Sequence, residues 1–489
     1  MNYILRWIAW LQLFSFCLLP GGAMAQSTPP GVNLPANTLE GIEEEIIPNQ
    51  PQSPDLLPDA SPGSLPEPNL DIPASPQLPA ITTPPTAPFL VRTVKVLGNT
   101  VLQAEIDQLT EPYENREVRF EELLQLADAI TKLYIDHGYI TSGAFLPIQD
   151  FSNSMVEIQV VEGELEGIEL IGLNRLREAY VRSRLELATD QPLNQNRLEE
   201  ALKLLQLDSL LNTVDAELTP GRGSGSNILR VDIKEAPAFH GGVSTANNQS
   251  PSIGSLQTSL LVAHDNLFGF GDRFSAQYSL TEGLDLYDLN YAIPVNPQNG
   301  ILSIRYNNSD SRIIEEQFEE FEIESATRTI AVSFRQPILR SPETEFALSL
   351  ALDLRRSQTF LLGEPFSFSL GPENGESKVT VLRFAQDWLD RSSPNRILAA
   401  RSQFSFGLGA FDATLNDTGT DGRFFSWLGQ FQWVERLSPQ ATLITQLNAQ
   451  LTPDSLLSLE RFSMGGVDTV RGYRQNQLVA DNGILGSVE

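Results

Sequence analysis

From residue 237 onward, apolar and polar residues alternate with a period of two in segments of about ten residues. Phe274, Ala276, Tyr278 and Leu280 share one face of such a segment, with Ser275, Gln277 and Ser279 on the other. Tyr287, Leu289, Tyr291 and Ile293 oppose Asp288 and Asn290, and Phe346, Leu348, Leu350, Leu352 and Leu354 oppose Ser349 and Asp353. Phe425, Trp427, Phe431 and Trp433 oppose Ser426, Gln430 and Gln432, and Leu443, Leu447 and Leu451 oppose Gln446, Asn448 and Gln450. The pattern predicts β-strands with one oily and one wet face.

A soluble sandwich would also alternate. Two features favour a transmembrane antiparallel β-barrel. Small polar residues recur on one face, and aromatics sit near strand ends, where a membrane interface would lie. The connections also alternate in length. Segments 265–271, 294–300, 336–343, 389–395 and 435–439 are short, whereas 309–322, 358–376, 410–421 and 453–484 tend to be longer. Ten residues at about 3.3 Å each, tilted about 45°, span roughly 23 Å, the height of an apolar band. The pattern yields eleven strands, with 485–489 starting a twelfth. Single-chain bacterial barrels close with an even number and leave no edge in lipid, so the chain reads as an incomplete barrel.

Upstream, residues 89–163 and 164–236 look alike. Each opens with an alternating strand ending in a Gly/Asn turn, containing Gly98 and Asn99 or Gly172 and Asn174. A short helix follows, 102–109 or 178–185, and then a longer one. Leu123, Ala127, Ile130 and Tyr134 form the apolar face of the first long helix, and Leu198, Leu202 and Leu205 that of the second. Closing strands end at Glu162 and Glu235. The two glycines are 74 positions apart and the two glutamates 73, so two small α+β modules stand in series.

The N-terminus carries Arg6, an apolar core from Trp7 to Leu19, and Ala23-Met24-Ala25, which predicts a signal peptide cut between Ala25 and Gln26. An uncleaved anchor is the alternative, although no run of about 20 apolar residues exists to span a membrane as a helix. Half of the chain's 32 prolines fall in 26–88, an extended tether; within it, 38–47 could instead form a small plug helix. Cys17, the lone cysteine, lies in the leader, so no disulfide is possible. The net charge of −29 disfavours nucleic acid. His137, His240 and His264 lack metal-ligand spacing, and neither a cofactor motif nor a nucleophile–base set stands out, so no enzyme, metal or cofactor is expected. Gly269-Phe270-Gly271-Asp272 reads as a tight turn, and the acidic run at 315–324 as a solvated loop.

The β-α-α-β-β order of each module resembles the POTRA domain, which handles unfolded polypeptide; an exposed sheet edge suits that task, because an extended chain can add itself there as a strand. The candidate edge is Gly143, Ala144, Phe145 and Leu146. The last long loop then holds Val470-Arg471-Gly472-Tyr473, preceded by Phe462 and by Gly465-Gly466. A signal peptide, a proline-rich tether, two POTRA-like modules and a barrel with this element in this loop resemble a two-partner (type Vb) secretion transporter of the haemolysin activation/secretion family.

The resemblance implies a barrel of about 16 strands, of which this chain carries about 11. It implies that the motif loop folds back into the lumen, where Arg471 pairs with a carboxylate on a strand beyond Glu489. It further implies a monomer in the outer membrane, in contact with lipid, with its modules in the periplasm. Its partner would be an unfolded exoprotein of haemolysin or haemagglutinin type, secreted without catalysis. The alternative is an assembly factor of the same superfamily, which inserts other barrels; a passive porin would leave the modules without a task.

Overall fold

The computed structural model describes residues 69–71 and 88–489, Thr418 excepted. The leader with Ala25 and Gln26, and the 38–47 segment, lie outside the described residues.

The first module comprises β2 (Phe89–Val91), β3 (Thr93–Leu97), the helix Gln103–Thr110, β4 (Arg116–Val118), the helix Phe120–Asp136, β5 (Gly143–Phe145) and β6 (Met155–Val161). A short strand, β1 (Asn69–Asp71), precedes it in the chain. The three-stranded sheet runs β3-β6-β5, and β2 pairs separately with β4. Leu123, Ala127, Ile130 and Tyr134 are buried against Val156, Ile158 and Val160, so the 3.6-residue stripe of the long helix meets the two-residue alternation of β6.

The second module repeats the plan with β7 (Glu164–Ile171), the helices Glu178–Glu186 and Gln195–Gln206, β8 (Leu211–Pro220) and β9 (Ser226–Glu235). Leu198, Leu202 and Leu205 are buried against Leu229, Val231 and Ile233. Its sheet has four strands, β1-β8-β9-β7, because β1 joins it from the tether.

The repeat extends to one corner of each module. Gly98 and Gly172 have φ of +86° and +90°, and a Cβ at either would run into a carbonyl oxygen, that of Val160 or Ile233. Glu162 accepts from the backbone N–H of Thr100 (2.7 Å) and Val101 (3.3 Å) and from the Tyr134 hydroxyl (2.8 Å). Glu235 accepts from the N–H groups of Asn174 (2.7 Å), Arg175 (2.9 Å) and Leu176 (2.9 Å). Each glutamate thus satisfies amides exposed by its turn.

The remaining chain is one antiparallel meander. Strands β10 (Phe239–Asn247), β11 (Leu256–Asp265), β12 (Arg273–Leu280), β13 (Leu284–Pro294), β14 (Ile301–Arg312), β15 (Glu324–Arg340) and β16 (Thr344–Leu361) follow in order. After β17 (Glu364–Pro365), which pairs only with β16, come β18 (Glu376–Ser393), β19 (Arg396–Leu408), β20 (Phe425–Ser438) and β21 (Ala441–Leu451). The hairpin β22 (Phe462–Met464) and β23 (Leu478–Ala480) stands apart, and β24 (Gly483–Val488) pairs with β21 as the twelfth strand in the row. Several strands run past the expected ends. β14 continues to Arg312, β16 to Leu361 and β15 to Arg340, through segments whose sequence predicts loops. In β14 the extension is Ser309-Asp310-Ser311-Arg312, polar on both faces, so the ladder persists where hydrophobic alternation has faded.

Opposite residues in an antiparallel ladder share a face. Val332 sits across from Leu352, which sits across from Leu382. Ser333 sits across from Ala351, which sits across from Arg383. On the first face Ile304 is 51%, Leu350 50% and Leu447 47% exposed, while on the second Ser279 is 0%, Ser309 2% and Ser405 2% exposed. Oily outside and polar inside inverts a soluble core and matches a wall between lipid and a wet interior. Among the described residues no helix is long and apolar enough to cross a membrane; the strands do so.

Candidate functional site

The inner wall carries the charges. Asp288 on β13 meets Arg305 on β14 at 2.7 Å, and Asp387 on β18 meets Arg401 on β19 at 2.6 Å. Such a lining offers a threading chain water and paired charge in place of apolar surface.

The loop 452–482, between β21 and β24, is seated on this wall. Leu456, Leu457 and Leu459 are buried with Val379 and Val381 of β18 and with Phe424. The 3₁₀ turn Ser458–Glu460 then delivers Glu460 between two guanidinium groups. Glu460 lies 2.6 Å from Arg355 of β16 and 2.9 Å from Arg383 of β18. Arg383 also meets Asp353 at 2.6 Å and donates to Ser405 at 2.9 Å, and Arg355 donates to the carbonyl of Leu459. Two cations and two anions, held by further hydrogen bonds, make a buried network that offsets its desolvation internally.

Sequence reading did not single out Glu460, Arg355 or Arg383. Asp353 was legible as a charge on a polar strand face. Nothing in the alternation tells which charge on a neighbouring strand or loop completes it.

The motif sits farther along the same loop. Gly465 and Gly466, at φ +120° and +98°, begin two successive turns closed by hydrogen bonds from Gly465 N–H to the Thr469 hydroxyl (2.8 Å) and from Tyr473 N–H to the Val470 carbonyl (3.3 Å). Val470 is half-buried; Arg471, Gly472 and Tyr473 are exposed. Arg471 lies 2.9 Å from Glu489. Glu489 exchanges backbone hydrogen bonds with Ile444, near the start of β21, so a loop leaving the far end of β21 returns Arg471 toward the short-turn end. Arg474 meets Glu315 at 2.9 Å. Glu315, of the acidic run 315–324, thus reaches the motif loop.

The expected edge in the first module is closed. β5 is terminal in its sheet, but Ala144 N–H, facing away from β6, donates to the Thr131 hydroxyl at 2.9 Å. Gly143, Ala144 and Leu146 are buried and Phe145 is half-buried. The long helix lies over this strand because Ala144 and Leu146 complete the core that Ile130 and Tyr134 begin.

The second module docks on the short-turn end of the sheet. Arg177 N–H donates to the Gly269 carbonyl at 3.0 Å, and the Arg177 guanidinium stacks over Phe270 at 3.7 Å. Arg184 stacks on Tyr180 at 3.5 Å and reaches Asn299 of the next short turn at 3.2 Å. The Gly269–Asp272 turn is pinned from within by Asp272, which accepts from Phe268 N–H (3.0 Å) and Phe270 N–H (3.3 Å). Burial depresses the Arg184 guanidinium and, with Asp208, raises the Tyr180 phenol; at neutral pH the phenol is a neutral donor, 2.6 Å from Asp208. The second module and the short turns thus share one side of the wall.

The haemolysin secretion/activation protein family ShlB/FhaC/HecB matches residues 225–487, and the POTRA domain, ShlB-type, matches residues 89–163. The outer membrane transporter CdiB of Escherichia coli is 24% identical over 486 residues, covering 96% of this chain and 78% of that protein. The solved structure of CdiB from Escherichia coli superposes with a TM-score of 0.63 at 23% identity, over 84% of this chain and 76% of that one, a likeness of fold. The assembly factor BamA of Nitratidesulfovibrio vulgaris is a weaker relative, 22% identical over 369 residues and 43% of its length, so secretion takes precedence over barrel insertion. The chain belongs to the ShlB/FhaC/HecB family of haemolysin secretion/activation proteins, and is an outer-membrane transporter of two-partner secretion with periplasmic POTRA domains.

Proposed function

We propose that the periplasmic modules hold an unfolded exoprotein as an extended strand and that the barrel conducts it outward, with loop 452–482 occupying the path at rest. The observation that carries this reading is the polar wall with Glu460 seated between Arg355 and Arg383. Beside its apolar seat of Leu456, Leu457 and Leu459, the loop is held by charges, and a passing chain can compete for those charges. Val470, Arg471, Gly472 and Tyr473 form its movable tip, held by the solvent-exposed pair of Arg471 with Glu489. The cargo is of haemolysin or haemagglutinin type, the transporter is a monomer, and its outer face contacts lipid. No catalytic step is assigned; folding of the cargo outside supplies direction.

Deletion in the native host tests this. Loss of one large secreted protein, with other outer-membrane barrels at normal abundance, is the expected result. General loss of barrels would point to assembly, and altered small-solute permeability alone to a porin.

A further inference from the structure

The outward face of the wall turns basic along one arc of its rim. Cross-strand partners carry a single row through Tyr278, Tyr287, Asn308, Arg328, Arg356 and Lys378, from β12 to β18. This row belongs to the oily face: on β15, β16 and β18 it stands four residues from Val332, Leu352 and Leu382. Between the two lies a row holding Tyr306, Ile330 and Leu354. The second module sits at the short-turn ends of the strands and the basic row near the opposite ends, so the row marks the outer rim.

Its chemistry changes along the arc. Tyr278 and Tyr287 pack with ring centroids 4.7 Å apart, aromatics at the level where a bilayer meets water. There Tyr278 donates to Asp285, and Asn308 donates to Asp310 at 3.1 Å. From β15 onward the row is cationic. Arg328 is directly across from Arg356, and Arg356 from Lys378. Like charges at such positions repel unless an anion lies between them. Glu376 serves Arg356 and Lys378, the latter at 3.0 Å, and Asp412 meets Lys378 at 2.5 Å. Arg328 pairs with no carboxylate among the described residues; its polar contact is the Asn308 side-chain oxygen at 3.5 Å. Arg328 is exposed and the Arg356 side chain is 60% exposed. Two guanidinium groups thus stand side by side at headgroup height, and the one carboxylate at hand is shared with Lys378.

We infer that Arg328 and Arg356 form a binding site for a phosphate group of an outer-leaflet glycolipid, whose acyl chains lie along Ile330, Leu354, Val332 and Leu352. The ligand class follows from the juxtaposition. A guanidinium fork matches phosphate bidentately. The exposed aliphatic rows directly beneath, with Ile330 at 40% and Val332 at 43%, suit acyl chains, which neither a free ion nor an acidic peptide supplies. Asp285 and Asp310 repel the headgroup from β13 and β14 and confine it to β15 and β16. One premise comes from the reading above, that this face meets lipid.

The test titrates the protein, purified in dodecyl maltoside, with diphosphoryl lipid A and counts bound copies by native mass spectrometry. The protein is expected to retain the lipid and to lose it when both phosphates are removed from the probe. Arg328→Gln with Arg356→Gln is expected to bind about thirtyfold more weakly, at about fivefold for each cation near a membrane surface. Glu376→Gln removes the carboxylate that competes for Arg356 and is expected to bind about fivefold more tightly. A gain is not a symptom of misfolding, so this variant decides the matter even if the double variant fails to fold. No retained lipid, equal retention by the folded double variant, unchanged affinity in Glu376→Gln, or equal retention of the phosphate-free probe would overturn the inference. Displacement of the lipid by an equal concentration of inorganic phosphate would assign the site to the free ion and overturn the lipid source. A wall that does not face lipid would show instead as equal destabilisation by Leu350→Arg and Ser349→Arg, and the deletion experiment reports on secretion alone.

Discussion

Glu460 and Arg355 face each other at 2.6 Å with side chains only 5% and 4% exposed, although 105 positions separate them in the chain. Arg383 closes the contact from the next strand. Glu460→Ala would leave two guanidinium groups on the wall without their shared anion, at a cost of about 3–5 kcal/mol. The expected outcome is a loop that proteases cut in the folded barrel, together with a lower unfolding temperature. Glu460→Gln keeps an acceptor and should fall between. A loop equally resistant in all three proteins would show that the apolar seat of Leu456, Leu457 and Leu459 suffices.

The corner glutamate of the second module gives a pH dependence. Burial raises the Glu235 carboxyl, but the amides of Leu176, Asn174 and Arg175 and the Arg175 side chain outweigh it and hold it below its ordinary 4.5. A depressed carboxyl stabilises the fold above its unfolded value, and that stability is lost as pH falls through the folded value. Hydrogen exchange should find the Asn174, Arg175 and Leu176 amides protected at neutral pH and losing protection in acid below 4.5. In Glu235→Gln this loss should flatten. Protection of the same three amides that stays constant down to strong acid would count against the assignment.

Gly271 has φ of +78°, and a Cβ there would enter the Tyr180 ring. Gly271→Val combines backbone strain with that clash, at a cost of about 1–3 kcal/mol. The loss should appear at the junction: faster exchange of the Arg177 amide, which donates to Gly269, with the sheet unchanged. Uniform destabilisation of the barrel would contradict it.

The two faces of β16 should respond oppositely to charge. Leu350→Arg places a cation on the lipid face and should cost about 2–4 kcal/mol in folding titrations in vesicles if it sits near the bilayer midplane. Ser349→Arg, one residue away on the wet face, should cost far less. Equal penalties would place both residues in the same environment.

Arg471 and Glu489 form an exposed pair, with side chains 69% and 48% exposed. Such pairs contribute about 0–1 kcal/mol, so Arg471→Ala should leave stability nearly unchanged. An effect on secretion or on pore conductance without an effect on stability would assign the residue to gating.

The sequence by itself determined the local periods. Alternation marked the wet and oily faces of strands such as Phe346 to Leu354, the 3.6-residue stripe marked Leu123, Ala127, Ile130 and Tyr134, and the 74-residue spacing of Gly98 and Gly172 marked the duplication. These are nearest-neighbour properties of a backbone, set by where successive side chains point, and they survive without knowledge of the partner. The motif loop was legible for a different reason, its likeness to a family.

Tertiary structure alone decided the pairings. Glu460 finds Arg355 and Arg383 because strand order brings β16 beside β18 and the loop returns along their inner face. The edge of β5 is closed by Thr131 and the edge of β8 is taken by a tether strand. Which backbone edge stays open depends on what packs beside it in space, and contacts between separate elements leave no period in a sequence.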